Sequence, residues 1–303
     1  MPLVHTYSIV ARDPVSAQMG VAVQSHWFAV GNIVPWAEAG VGAIATQAMS
    51  DSGYGKLGLD LMRAGKNARE TLRGLLAADD LREVRQVAMV DSQGAVAAHT
   101  GAFAIAEAGH QTGDGFSVQA NIMLRKTVWP AMAEAYTKAS GDLAERFLAT
   151  LDAAQAQGGD ARGMQSAAIL IVEGKSSGRP WIDRIFDLRV DDHPSPLAEL
   201  RRLVSVQRAY RHKVLGDDSF ARGDAEAGNR EYHEAERLAA DNLEMRFWHA
   251  IGLVNAGRVE DSLEILRSLF ANNRNWFEVL MRLPRGMFRA DETAIDRIRK
   301  LAG

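Results

Sequence analysis

Cysteine is missing altogether from this 303-residue chain. Its absence excludes disulfides, thiolate nucleophiles and cysteine-bound metals, and it suits a reducing, cytoplasmic setting. Proline is scarce, at 8 residues, and no apolar run approaches the roughly 20 residues that a membrane-spanning helix needs. An excess of either charge is lacking as well. The 35 lysines and arginines stand against 38 acidic residues, a net charge of −3, which offers little attraction to nucleic acid or an anionic membrane. The N-terminus lacks the basic, apolar and small-residue order of a secretion signal. A cytoplasmic protein with no nucleic-acid or membrane partner is therefore expected.

What is present is an ordinary globular composition, 47% hydrophobic and 24% charged, long enough for two domains. The character of the sequence changes near Pro194 and Pro196. The expected division is residues 1–204, mixed in structure, and residues 205–303, helical throughout.

In the first part, strands are expected at about Thr6–Arg12, Met19–Gln24 and Gly40–Ala48, followed by helices at about Tyr54–Ala64 and Ala68–Ala78. The segments "RQVAMVD" and "AVAAHT" flank Ser92-Gln93-Gly94, a hairpin signal whose glycine suits a positive φ. A further strand pair surrounds Gly113-Asp114-Gly115, helices cover about Thr127–Ala139 and Leu143–Gln157, and "SAAILIVEG" and "IDRIFDLRVD" supply the final strands. Helices arriving in adjacent pairs cannot each be the crossover of a regular parallel sheet. The order instead suggests an α+β fold of layered sheets with helix pairs outside.

The second part repeats itself. Gly223 and Gly257 lie 34 residues apart, as do Gly216 and Ala250, Tyr232 and Leu266, and Ala235 and Leu269. That is the tetratricopeptide period. The inter-repeat proline is absent and Leu269 is larger than that pattern expects. About two repeats fit where three are usually needed for stability, so the array is expected to lean on the first domain or on another subunit. It is also the expected surface for a protein partner or for a homo-oligomer.

Several familiar chemistries fit poorly. "GYGKLG" matches the dinucleotide spacing at Gly53, Gly55 and Gly58, but no acidic residue closes a following strand about 20 residues on. A glycine-rich turn capping a helix explains it better. Asp191, Asp192 and His193 are adjacent, and neighbours on an extended strand point to opposite faces, so a salt-bridged strand end is the simpler expectation. His26, His99 and His110 are too far apart for their spacing to imply a metal. Neither HExxH nor GxSxG occurs. No cofactor and no metal are expected.

One chemistry remains open to a chain without cysteine. A terminal threonine or serine can attack a carbonyl while its own α-amine, with a pKa near ~8, accepts the proton. Such a residue must start a buried strand and face amide or backbone donors at the oxyanion position. Thr6 starts the first strand, with Ser8 two residues inward. Ser25 and His26 close the second strand, Gln47 the third, and His99 and Thr100 the hairpin. Gln119 and Asn121, two apart, share a strand face.

At these residues the sequence resembles a bacterial family catalogued as the domain of unknown function 1028. The resemblance rests on "TYSIVARDP", "GVAVQSHWFAVGNIVPWAEAGVGAIATQA", "GYGKLGLDLM", "AAHTG", "GHQTGDGFSVQANIM" and "DLRVDDHPSPLAELRRL", and covers roughly Thr6 to Val204. The family is placed among the N-terminal nucleophile hydrolases, which implies a four-layer αββα sandwich and cleavage of an amide bond in a small molecule or peptide. By position, Thr6 would be the nucleophile, with Ser8 the second hydroxyl. The Thr6 amine would be the base once freed, and Gln47, Asn121 and backbone N–H groups the oxyanion donors. Ser25, His26 and His99 would orient groups or shuttle protons. The sequence departs from the family pattern in one place, since "PLVH" stands between Met1 and Thr6. A free Thr6 amine then requires a cut at His5–Thr6. The alternative expectation is an inactive hydrolase fold that binds partners through its helical repeats.

Overall fold

The structure, a computed structural model, describes residues 3–4 and 6–302. Contacts divide these residues into two units that meet between Val204 and Ser205. The first runs, in chain order, β1 (Leu3–Val4), β2 (Thr6–Arg12), β3 (Met19–Ser25), β4 (Pro35–Glu38), β5 (Gly42–Met49), α1 (Gly53–Arg63), α2 (Ala68–Ala78), β6 (Arg85–Asp91), β7 (Val96–Thr100), β8 (Gly109–Gly113), β9 (Phe116–Ala120), α3 (Val128–Lys138), α4 (Leu143–Ala156), β10 (Ser166–Val172) and β11 (Arg184–Val190). The division falls within α5 (Pro196–Ala221).

Every strand pairing is antiparallel. One sheet has the order β11-β10-β3-β2-β9-β8, and the other β1-β5-β6-β7 with β4 also on β5. The side-chain period of two sorts each strand into two faces. Val10, Val21 and Val23 of the first sheet pack on Ala43, Ala45, Ala88 and Val90 of the second. The opposite face of the first sheet, with Tyr7, Ile9 and Val118, packs on Met132, Tyr136, Phe147 and Leu151 from α3 and α4. The outer face of the second sheet, with Ile44, Val87 and Met89, packs on Leu59, Met62 and Leu72 from α1 and α2.

Two strands escape sequence patterning. β4 is four residues long and opens on Pro35 at a sheet edge, where a missing N–H is tolerated. β1 is only two residues. The third expected strand starts at Gly42 rather than Gly40, because Gly40 turns with φ +73°.

The glycines of "GYGKLG" lie inside α1, not in a turn before it. A methyl group on Gly55 would stand 2.2 Å from the Trp36 ring, and one on Gly58 would stand 2.5 Å from Ile44. They let the helix backbone press onto the sheet, so the spacing that mimics a dinucleotide site serves packing. Asp191, Asp192 and His193 form the approach to α5: His193 Nδ1 accepts the Ser195 N–H at 2.9 Å, and Gln165 donates to Asp192 at 3.2 Å.

In the second unit, α5 is followed by α6 (Ala225–Leu238), α7 (Leu243–Asn255), α8 (Val259–Asn272), α9 (Asn275–Met281) and α10 (Glu292–Arg299). Gly223 and Gly257 adopt φ of +84° and +79° just after α5 and α7. Each is followed by the same capping bond, Asp224 N–H to Ser219 O at 3.0 Å and Arg258 N–H to Leu253 O at 2.8 Å. Tyr232, Leu266, Ala235 and Leu269 are all buried. Leu280 of α9 and Ile298 of α10 enter the core formed by Phe247, Leu266 and Leu269, so these last helices cover apolar surface of the preceding pairs. Among the described residues, no helix is long and apolar enough to cross a membrane.

Replacing a helical glycine by alanine normally stabilises by about 1 kcal/mol. Gly74 of α2 has nothing within 4 Å of an added methyl, so Gly74→Ala should raise the melting temperature. Gly55→Ala should lower stability by about 1–3 kcal/mol, because the methyl overlaps Trp36. Thermal denaturation of the two variants checks the opposite signs.

Candidate functional site

Alternation along β2 puts Thr6, Ser8 and Val10 on the face toward the second sheet, while Tyr7, Ile9 and Ala11 face α3 and α4. Thr6 is fully buried and pairs with Ser25, also buried, at the end of β3. On the facing sheet the same rule continues Ala43 and Ala45 to Gln47, and Val90 and Ala88 to Gln86. On β9, Ser117 and Gln119 share the inward face, and Asn121 follows directly. One end of the inter-sheet layer is thus filled by amides, and its other end by valines and alanines.

The amides hold one another and the start of β2. Gln47 Nε2 donates to Thr6 O at 3.2 Å and to Gln86 Oε1 at 2.7 Å. Asn121 donates to Thr6 O twice, from its backbone at 3.1 Å and from Nδ2 at 3.4 Å, and to Gln86 Oε1 at 2.9 Å. Gln86 Nε2 in turn donates to Ala120 O at 2.9 Å, Thr100 Oγ1 at 2.9 Å and Gly109 O at 3.2 Å. Ser8 Oγ donates to Gln47 Oε1 and accepts from Gln119 Nε2, both at 2.6 Å, and Ser117 Oγ donates to Gln119 Oε1 at 3.0 Å.

These bonds assign the candidate residues different positions. Gln47 and Asn121 come together at Thr6, but their N–H groups are directed at the Thr6 carbonyl and at Gln86. In this state they fix the first residue of β2 in place. Ser8 commits its hydrogen to an amide oxygen, not to a base. Ser25 stands beside Thr6. His26 is exposed past the end of β3, with its backbone N–H on Asp160 Oδ2 at 3.2 Å. His99 is not brought to the site. Counting along β7, Ala98 and Thr100 share the inward face, and His99 points the other way, 2.8 Å from Arg82 O.

Gln86 joins both sheets to this network and is absent from the sequence-derived candidates. Its signal was available, because "RQVAMVD" places Gln86 on the same face as Ala88 and Val90. His110 also enters. Its Nδ1 lies 2.8 Å from Thr100 Oγ1, which accepts from Gln86. His110 is exposed on β8, yet partial desolvation of its ring, with a smaller contribution from the charge of His99, pushes its pKa below the ordinary value. A neutral His110 can accept the Thr100 hydrogen. Thr100 and His110 line a cleft of about 620 Å³ together with Glu107, Lys126 and Trp129, so hydrogen bonds link the cleft to the carbonyl of Thr6.

The backbone bends sharply beside both amides that grip Thr6. Ala48 and Ile122 adopt φ of +65° and +57°, a region that costs residues with a Cβ about 1–3 kcal/mol. Behind the second sheet, Arg85 is 1% exposed, donates to Met49 O at 2.6 Å and pairs with Asp79 at 2.8 Å. Burial raises the Asp79 carboxyl, but hydrogen bonds from Arg85, the Leu81 N–H and Tyr54 outweigh it and hold its pKa below the usual value.

The model of the family of unknown function DUF1028 matches residues 6–200. The crystal structure of protein SPO2555 from Silicibacter pomeroyi, which carries the same family assignment, is similar at 29% identity with a TM-score of 0.59. The match covers 66% of this chain and 88% of that one. No curated protein matches.

Gln86→Ala should lower the unfolding free energy by about 3 kcal/mol or more, because buried donors on Gln47 and Asn121 lose their acceptor. Urea unfolding checks this. Asp79→Ala takes the nearer carboxylate away from buried Arg85, whose distance to Asp51 is 3.6 Å, and should cost about 3 kcal/mol. The pH dependence has a definite sign. The folded pKa of Asp79 is depressed, so its contribution is present above about pH 4 and lost as the pH falls through the folded value. Wild type should therefore lose more stability than Asp79→Ala on acidification.

Proposed function

Since the chain belongs to the DUF1028 family, whose description names no chemistry, we propose that it is an amidohydrolase of the N-terminal nucleophile type with Thr6 as nucleophile. Paired sheets between two helix pairs support the corresponding four-layer αββα arrangement. The observation that carries the proposal is the treatment of Thr6. It starts a central strand, it is fully buried, and side-chain amides from both sheets hold its carbonyl oxygen.

In this reading a cut at His5–Thr6 frees the α-amine; His5 lies outside the described residues. The amine takes the proton of the Thr6 hydroxyl as its oxygen attacks the substrate carbonyl carbon. The C–N bond then breaks, the proton passes to the leaving nitrogen, and water hydrolyses the ester to restore Thr6. Gln47 and Asn121 act as positioning residues through the Thr6 carbonyl. Ser25, next to Thr6 across the strand pair, is the nearest of the other candidates to orient its hydroxyl. The segment before the cut adds support. β1 pairs with Ala48 and Met49 of the second sheet, whereas Thr6 opens a strand of the first. Releasing β1 would uncover the sheet edge next to Gln47.

A second reading, binding through the helical unit, draws on Asn255. Its side chain donates to Met287 O and accepts the Arg289 N–H, both at 2.8 Å, a grip suited to extended backbone. Under it the helices form a tetratricopeptide-like array that docks a protein segment, with Thr6 chemically silent.

Intact-mass measurement on protein purified from its native cell should show a chain beginning at Thr6. Thr6→Ala should lower hydrolysis of a chromogenic anilide about 1000-fold or more, and Thr6→Ser should retain a measurable rate. The base must be neutral, so kcat/KM should rise with pH to a plateau as the amine loses its proton, near ~8 or lower where burial disfavours its charge. Amide hydrolysis by a chain that keeps residues 1–5, or full activity of Thr6→Ala, would exclude the terminal-amine mechanism.

A further inference from the structure

The second unit holds a cluster that none of the preceding chemistry uses. Helix α6 presents His233 and Glu236 three residues apart, and therefore on one face. His249 approaches from α7 and is almost fully buried, stacked on Tyr232 at 5.0 Å with His233 edge-on at 5.2 Å. Each of the three residues offers one ligand atom, and these atoms all lie within 4.8 Å of one another. Among the described residues this is the one group of histidine and acidic side chains so placed.

The ring of His249 shows what the cluster is suited to. Nδ1 lies 2.7 Å from Glu236 Oε1, and Nε2 lies 2.7 Å from Asn229 Oδ1. A neutral imidazole has one hydrogen, so with the Asn229 amide turned this way, its Nδ2 lying 3.3 Å from His233 Nε2, one of the His249 nitrogens would aim a lone pair at an oxygen lone pair. A cation between Nδ1 and the carboxylate removes that conflict. Nε2–H can then donate to Asn229, which is the outer hydrogen bond that orients metal-bound histidines. Two imidazoles and a carboxylate form a borderline donor set that suits zinc and its neighbours better than magnesium or calcium. Tetrahedral zinc requires ligand atoms about 3.3 Å apart, so the Glu236 carboxylate, itself partly exposed, must draw back from its 2.7 Å contact with Nδ1 to admit the ion. His233 is exposed, so its side chain can swing to close the remaining gap and leave a fourth position for water.

We propose that His233, Glu236 and His249 bind a divalent transition-metal ion, zinc by chemistry, that ties α6 to α7. The competing state is His249 held between Glu236 and Asn229 by hydrogen bonds alone, without metal.

The test uses the full-length chain stripped with a chelator and titrated with zinc by calorimetry, with magnesium as control. One zinc per chain is expected, with a Kd on the order of 1 µM or below, together with a rise in melting temperature. Substituting cobalt(II) should give the visible absorption of a tetrahedral site. His233→Ala and Glu236→Gln alter exposed or half-buried positions and should leave the helical fold intact by circular dichroism. Each should weaken zinc at least tenfold and abolish the thermal shift. His249→Ala would also empty the core beside Tyr232, so it is not the deciding variant. No stoichiometric binding, or unchanged affinity in both variants, would overturn the proposal; the second result would identify an adventitious surface site.

Discussion

Two sheets packed face to face bury the side chains between them, so amides in that layer must find their partners largely inside the protein. This constraint shapes the end of the first unit where Thr6 lies. Gln47, Gln86, Gln119 and Asn121 are all buried; Gln47, Gln86 and Asn121 bond to one another and to main chain, and Gln119 bonds to the hydroxyls of Ser8 and Ser117. A network of this kind is stable only when complete, since a single unsatisfied buried group costs about 1–3 kcal/mol. The left-handed turns at Ala48 and Ile122 are tolerated next to it because bonds on both sides fix the local geometry.

The same network sets Thr6 apart from an ordinary β-former at the start of a strand. Valine and alanine fill the other end of the layer and define only a distance between sheets. The amides define a direction as well, since each has a donor and an acceptor side. Thr6 is held through its carbonyl by groups from two independent strands. Its position therefore depends on both sheets at once.

Most of the first unit was legible in sequence because period-two and period-3.6 patterns are strong there. Thr6–Arg12 and Ala68–Ala78 follow such runs without interruption. β1 and β4 were not legible, since two or four residues at a sheet edge carry too little pattern to stand out. The site was legible in part. Thr6, Ser8, Ser25, Gln47 and Asn121 are recognisable in sequence as polar residues near strand ends, and the structure turns them to one inward face. His99 stands near a strand end without standing near Thr6, since counting from Ala98 and Thr100 assigns it to the far face. Gln86 does not stand out in sequence, because it lies at the start of a strand that otherwise reads as hairpin core. The two capping glycines of the helical unit followed from their spacing, whereas α9 and α10 have no counterpart in that repeat.

The close fit of α1 on its sheet has a consequence for how related sequences can diverge. Gly55 is small because Trp36 is large: the indole lies where a side chain at 55 would begin. Neither position can drift alone. A lineage that trades the tryptophan for a small residue gains room at 55, and one that keeps the ring must keep the glycine. Among descendants of this fold the pair should be inherited as a unit, and the glycine pattern of "GYGKLG" should come and go with an aromatic residue almost 20 positions upstream, not with any nucleotide.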